Sequence, residues 1–256
     1  MFNNSGSRFG SIPPATKNLI IINALIWVVM MIFPSFSNAT VMPRLGLHFI
    51  SSELFNPVQI ITYMFIHSTD SIFHLFFNMF SLWMFGRILE QVWGTKRFLL
   101  FYFVCGVGAA LVQEALWALT WEHDFISALA KQNLVTYDHM KEIVDRAYAA
   151  GDGQLLRSIA YFKNSIVTIG ASGAIFGLLL GFAFVFPNMP LYLFFIPIPI
   201  KAKYMVLGYA VLEFFFGVSR SMDTVAHFAH LGGMLFGLIL LLYWKKKGLL
   251  RGGGFY

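Results

Sequence analysis

Thr168-Ile169-Gly170-Ala171-Ser172-Gly173-Ala174-Ile175-Phe176-Gly177-Leu178-Leu179-Leu180-Gly181 is the stretch on which the reading of this chain turns. It lies inside an apolar run from Ser165 to Phe186, long enough to cross a bilayer as a helix. Gly173, Gly177 and Gly181 recur every four residues, which on a helix makes a ridge without side chains where a second helix can approach closely. Beside the ridge stands one small hydroxyl, Ser172. A lone serine in a membrane helix is usually a packing residue, so what else reaches the same depth decides whether it is a nucleophile.

The rest of the chain fits a membrane setting. Of 256 residues, 58% are hydrophobic and 12% charged, whereas a soluble domain is closer to about a quarter charged. The single cysteine, Cys105, excludes an internal disulfide and says nothing about redox compartment. The net charge of +6 comes from short basic groups beside apolar spans, which is a topology signal and not a nucleic-acid stripe.

Outward from the opening stretch, six spans are expected. A polar tail, residues 1–17, precedes a first span from Asn18 to Phe33, read as an uncleaved helix because no signal-peptidase site is evident. Residues 34–71 form a long mixed loop with short interfacial segments. A second span runs from Ile72 to Leu89 and a third from Phe98 to Thr120. The polar insert 121–164 holds six of the twelve acidic residues. Within it, Asp138 to Ala150 reads as an amphipathic helix, with Met140, Ile143, Val144 and Tyr148 at helical spacing and Gly151 as its stop. Beyond the fourth span, Pro187, Pro190, Pro197 and Pro199 exclude a regular helix from Leu191–Ile200. A fifth span covers Tyr204–Val218, a sixth Val225–Trp244, and a basic tail, 245–256, follows.

The expected fold is therefore an all-α membrane bundle of six helices, occupying residues 18–244, with both termini on one side. Counting short segments, that side carries eleven basic residues, including Arg87, Lys96, Arg97, Lys201, Lys203 and Lys245–Lys247, against Arg44 and Arg220 on the other. The termini are thus assigned to the cytoplasm, with the chain multi-pass in the cell (inner) membrane. On this topology helices two, four and six all run inward. Ser172 lies about 10 Å below Ser165 and His230 about 8 Å below Val225, at 1.5 Å per residue. His74 and Asn78 fall in the first two turns of the second helix, on one face. Ala229, Gly233 and Gly237 repeat the four-residue ridge on the sixth helix, so the two ridges are expected to press Ser172 and His230 together. A serine hydroxyl needs such a neighbouring base to become a nucleophile.

Gly170-Ala171-Ser172-Gly173, with His74-Leu75-Phe76-Phe77-Asn78 upstream and Ala229-His230-Leu231-Gly232-Gly233-Met234-Leu235-Phe236-Gly237 downstream, resembles the rhomboid family of intramembrane serine proteases. The resemblance covers about Asn56 to Trp244, insert excluded. It implies a Ser–His dyad that needs no aspartate and no cofactor or metal, cutting single-span membrane proteins from a site open to the extracytoplasmic side. Carried over, Ser172 is the nucleophile and His230 the general base. His74, Asn78 and the Ser172 N–H line the oxyanion hole, and Gly170 keeps the backbone open. Phe176 stacks on His230, Gly233 and Gly237 support the packing, and Glu90 with Trp93 and Gly94 forms a polar anchor. Val58-Gln59 stand where many relatives carry a Trp-Arg pair.

Other readings compete with this one. His227 is the rival base, three residues before His230. The histidines His67, His74, His227 and His230 suggest a metal site, but no carboxylate or cysteine is expected beside them and H-E-x-x-H is absent. An aspartyl intramembrane protease needs two membrane aspartates, which the spans lack. A transporter would use Glu114 and Glu213 as relay groups, but no inverted repeat is evident. A non-catalytic rhomboid-like binding or quality-control factor would typically have lost the serine or the histidine. Oligomeric state leaves no trace in the sequence.

Overall fold

The computed structural model describes residues 12–193, 196–219 and 226–250. Most of the expected N-terminal tail, the predicted start of the sixth span at Val225 and the end of the basic tail lie outside the described residues.

Helix α1 spans Pro14–Ile32, four residues earlier than its hydropathy suggests. A proline at the first helical position and a remote cap explain the earlier start. The Glu90 carboxylate accepts hydrogen bonds from Ala15 N (3.0 Å) and Thr16 N (2.7 Å), two of the donors that a helix start leaves unpaired. It also accepts from the hydroxyls of Thr16 and Thr95, both at 2.8 Å. Glu90 is therefore a buried anchor joining three helices, the structural role that the resemblance gave it.

The first loop contains α2 (Asn38–Leu45), β1 (Leu47–His48) and α3 (Gln59–Thr62). Gln59, of the Val58-Gln59 pair, is buried and organises this loop. Its Nε2 donates to the carbonyls of Leu54 (2.9 Å) and Arg44 (3.3 Å), and its Oε1 accepts from the N–H groups of His48 and Asn56, both at 3.2 Å. The second span is α4 (Ile72–Ser81) continued through a widened turn, Leu82–Gly86, into α5 (Arg87–Trp93).

The third helix is longer than its apolar run. α6 spans Thr95–Gln132, about 57 Å at 1.5 Å per residue, so the insert begins as a continuation of the span. α7 (Tyr137–Ala149) matches the amphipathic segment, and Gly151 ends it at φ 68°. Only half of its expected stripe is buried: Met140 and Val144 face inward, while Ile143 and Tyr148 are exposed. The polar sequence concealed a further helix, α8 (Gly153–Ser165), capped by the Asp152 carboxylate on the N–H groups of Gln154 (2.7 Å) and Leu155 (3.1 Å). α6, α7 and α8 share a small core of their own around Phe125, Ile126 and Met140.

The fourth span departs most from expectation. The apolar run from Ser165 is not one helix: Val167–Thr168 form strand β2, paired antiparallel with β1, and helix α9 covers only Ser172–Val185. The run Ile166-Val167-Thr168-Ile169 is β-branched throughout and Gly170 holds φ 116°, so the segment favours extended backbone and then a break. Ser172 therefore opens its helix and does not lie two turns down it. At 14 residues, α9 measures about 21 Å, short of the roughly 30 Å hydrocarbon core. The proline-rich segment is a hairpin of β3 (Pro190–Leu193) and β4 (Ile196–Lys201). α10 (Ala202–Ser219) and α11 (His227–Lys246) complete the chain. Five helical runs among the described residues are long and apolar enough to cross a membrane: α1, α4–α5, α6, α10 and α11, with α9 the shorter apolar helix between them.

α11 packs most extensively on α6 and α9. The two glycine ridges meet as expected. A methyl added at Gly233 would sit inside the Gly173 carbonyl, and one at Gly177 would reach the Gly233 carbonyl at 3.0 Å. The α6 side of this contact is equally small, built from Cys105, Gly108 and Ala109. Gly181 faces elsewhere, against Trp93 and Phe101. Backbones this close leave no route for relief, so Gly233→Ala is expected to lower stability by at least about 1–3 kcal/mol. Gly208→Ala on α10, where an added methyl meets nothing within 4 Å, should be neutral or stabilising by up to about 1 kcal/mol. Thermal unfolding of both variants in detergent checks the contrast.

Candidate active site

Three helices deliver the site at their amino-terminal ends: Ser172 is the first residue of α9, His74 the third of α4 and His230 the fourth of α11. Helix starts carry unpaired N–H donors and the positive end of the macrodipole, so a site assembled there favours developing negative charge. His230 Nε2 lies 2.8 Å from Ser172 Oγ, a hydrogen bond between residues 58 apart in sequence. His227, the rival base, instead has its Nδ1 2.6 Å from Glu213 Oε2. The Phe176 ring stacks on His230 at 4.1 Å between centroids and 5° between planes, which fixes the imidazole from one face.

The loop entering Ser172 is held from the first loop. Gly170 N–H donates to the Tyr63 carbonyl at 2.9 Å, and the buried Tyr63 hydroxyl donates to the Gly106 carbonyl of α6 at 2.7 Å. A Cβ at Gly170 would come within 2.8 Å of His74 Nε2 and 3.9 Å of Ser172 Oγ, so the glycine opens the space between these groups. His74 Nδ1 accepts from Ser68 N–H at 3.3 Å. A neutral ring that accepts at Nδ1 carries its proton on Nε2, and that N–H faces the Gly170–Ser172 backbone. Asn78 is buried on the same face, and its amide donates to the His74 carbonyl at 2.7 Å, one turn back in the helix.

Sequence reasoning left three nearby residues without a role. Tyr63 carried no signal beyond its aromatic character. His67 is fully buried, with its ring 5.1 Å from that of His74 and its Nε2 3.5 Å from Ala171 N–H. Burial first, and the neighbouring His74 second, push its pKa down to about 3, so it stands as a neutral acceptor beside the Ser172 loop. Glu213 did give a signal, a carboxylate within a span, but its partners lie on a different helix. Glu114, the other such carboxylate, has an ordinary account: it accepts from Ile50 N–H at 2.9 Å and ties α6 to the first loop.

Contrary to the sequence expectation, a carboxylate does accompany the histidines. Glu213, His227 and His230 place one donor atom each within 4.8 Å of one another, the grouping among the described residues with metal-ligand composition. Its spacing is that of direct contact. Ligands at about 2.0–2.2 Å from a tetrahedral ion lie roughly 3.3–3.6 Å apart, whereas the His227–Glu213 separation is 2.6 Å.

The apolar helices and the polar site at their ends define a multi-pass membrane protein that presents a serine–histidine pair. The chain belongs to the rhomboid family: the Rhomboid domain profile matches residues 55–122 and 146–247, more than half of its length. Both matched stretches contain site residues, and the gap between them falls in the insert. It is also similar to Rhomboid-like protease 3 of Toxoplasma gondii, at 29% identity over 134 residues. That alignment covers 50% of this chain and 50% of the relative, so the chain spans about half the length of the curated relative it matches.

Gly170→Ala combines a left-handed backbone with a collision against His74. The substitution is expected to cost about 1–3 kcal/mol through backbone strain alone. A lowered melting temperature, with the membrane fraction otherwise intact, is the readout.

Proposed function

We propose that this protein is an intramembrane serine endopeptidase that cleaves peptide bonds in or near the transmembrane segments of single-span membrane proteins. The observation that carries the reading is the 2.8 Å contact between His230 Nε2 and Ser172 Oγ. Family membership and a relative named as a protease support it. Ser172 Oγ attacks the scissile carbonyl carbon while its proton passes to His230 Nε2. The C–N bond then breaks and His230 returns that proton to the leaving amine. Water, deprotonated by the same ring, attacks the acyl-enzyme and releases the new carboxylate with Ser172 restored. The oxyanion formed on each attack is met by the Ser172 N–H, at the start of α9, and by His74 Nε2–H, with Asn78 nearby and Gly170 leaving the space clear. One side-chain donor of this kind is worth typically about 2.7–4 kcal/mol.

The membrane arrangement belongs to the same proposal. α9 serves as a sixth, shortened span, enclosed by its neighbours, with both termini in the cytoplasm of a cell (inner) membrane. The amino ends of α4, α9 and α11 then face the extracytoplasmic side, where water needed for deacylation is close. The first loop and the insert lie at that end too, joined by the Ser52 hydroxyl donating to Asn164 Oδ1 at 2.8 Å. Attack needs an extended substrate backbone, and unwinding in lipid exposes unpaired amides, so helix-breaking residues near the substrate's outer end should favour cleavage.

The test uses the purified protein reconstituted in lipid with a model single-span substrate. Ser172→Ala and His230→Ala should each reduce cleavage to background, a loss of at least about 10²–10⁴-fold for the base. A fluorophosphonate probe should label the wild type on Ser172 and leave Ser172→Ala unlabelled. Cleavage that persists in both alanine variants overturns the proposal.

A further inference from the structure

The proline-rich hairpin carries a surface that the proposed chemistry does not use. β3 and β4 follow α9 and lead into α10, and their base is fixed. Ala202 N–H donates to the Met189 carbonyl at 2.9 Å, and Lys203 N–H to the Pro187 carbonyl at 3.2 Å. Leu191 turns towards the main core, but Tyr192 on β3 is 61% exposed and Ile198 on β4 is 62% exposed. Pro199, the partner of Tyr192 across the hairpin, is exposed beside it. Residues 187–203 contain no acidic residue, and their two charges, Lys201 and Lys203, stand exposed at the base of the hairpin. From there Tyr204, Leu207 and Val211 continue as an exposed stripe along one face of α10. The hairpin therefore extends the outward apolar surface of a membrane helix past a pair of cations. The end of the bundle around it is basic as well. α9 and α11 run parallel, since Gly173 meets Gly233 and Gly177 meets Gly237, so Lys245, Lys246 and Lys247 lie at the hairpin's end. Arg97 Nη1 donates to the Leu249 carbonyl at 2.8 Å, which brings the start of α6 to the same end. The acidic residue of the segments 87–97, 187–203 and 245–250 is Glu90, which is buried against the start of α1.

We infer that the β3–β4 hairpin is seated in the membrane interface, with Tyr192 and Ile198 against acyl chains and Lys201 and Lys203 on the phosphates of anionic lipids. Apolar side chains gain by leaving water, and ammonium groups gain at an anionic surface, so both parts of the hairpin favour one seat. A bare hairpin edge is costly in hydrocarbon, because its N–H groups find no partner there. Pro190, Pro197 and Pro199 bring no N–H to the hairpin. Water and phosphate oxygens of the headgroup zone answer the donors that remain. A second copy of the chain is the rival occupant of this surface. It would bring the same lysines and no acidic group to meet them, so like charges would oppose each other. The inference goes beyond the protease reading and does not depend on it.

Cys105, the single cysteine, is fully buried, so a thiol probe reaches the folded full chain where a cysteine is introduced. Y192C and I198C replace exposed side chains, and L134C, at a loop residue 92% exposed, is the water-facing control. Each is labelled with an environment-sensitive fluorophore and reconstituted in phosphatidylcholine vesicles, with iodide supplied on both faces. The two hairpin labels should emit at shorter wavelength than the control and resist iodide, while doxyl groups on lipid acyl chains quench them. Doxyl-labelled phosphatidylglycerol should quench them more than doxyl-labelled phosphatidylcholine at the same fraction. The apparent enrichment should reach about five-fold per lysine at low salt, and K201Q/K203Q should abolish it. Iodide quenching equal to that of L134C would put the hairpin in water and overturn the inference. Energy transfer between labels on separate chains, without quenching by lipid, would put a second copy there and overturn it too. Equal quenching by the two doxyl lipids would overturn the assignment of the lysines to anionic headgroups. None of these readouts uses cleavage, so failure here is separable from failure of the protease reading.

Discussion

The approach of α9 to α11 without side chains between them is the constraint on which the other features depend. Gly173 and Gly177 face Gly233 and Gly237 so closely that a methyl at Gly233 has no space beside the Gly173 carbonyl. In lipid there is little hydrophobic force between helices, so such contacts hold by van der Waals packing of backbone on backbone. That same approach sets the distance between residues at the helix ends. Ser172 immediately precedes the first ridge glycine and His230 stands three residues before Gly233, so the 2.8 Å contact follows from the ridge register. α6 closes the third side with Cys105, Gly108 and Ala109, and has to be small there for the same reason.

Several polar groups in this molecule are answered by groups on other elements. Glu90 caps the start of α1 from about 75 residues away, and Glu114 caps a loop N–H at Ile50. Gly170 N–H is answered by the Tyr63 carbonyl, and Glu213 by the His227 imidazole. An unsatisfied buried donor or acceptor costs about 1–3 kcal/mol in a protein interior, so these pairings constrain the arrangement as firmly as the apolar packing does. The site uses the same device. It collects a serine, histidines and helix-start N–H groups at the amino-terminal ends of three helices.

Departures from the sequence reading share a cause. The run from Ser165 looked like one span because its hydropathy is continuous, but β-branched residues could pair with Leu47–His48 and Gly170 could break the chain. α8 was hidden because its apolar positions, such as Leu155, Ile159 and Phe162, face a core made jointly with α6 and α7. Met140 and Val144 turned inward while Ile143 and Tyr148 did not, since the width of a buried stripe is set by the neighbour that covers it. In each case local pattern was a true signal whose outcome depended on a partner elsewhere.

The sequence by itself determined the apolar helical composition, the four-residue glycine ridges, the family resemblance and the identity of Ser172, His230, His74, Asn78 and Gly170 as the residues to watch. These are properties of spacing along one helix or of motifs in order, and they need no knowledge of neighbours. Tertiary structure alone decided that α9 starts at Ser172, that His227 turns to Glu213 at 2.6 Å, and the 2.8 Å and 4.1 Å at which Ser172 and Phe176 meet His230. Those facts depend on distances between helices, which a hydropathy pattern does not encode. A carboxylate on α10 shows in the sequence only as a costly residue in a span; its partner His227 appears only when α10 packs on α11.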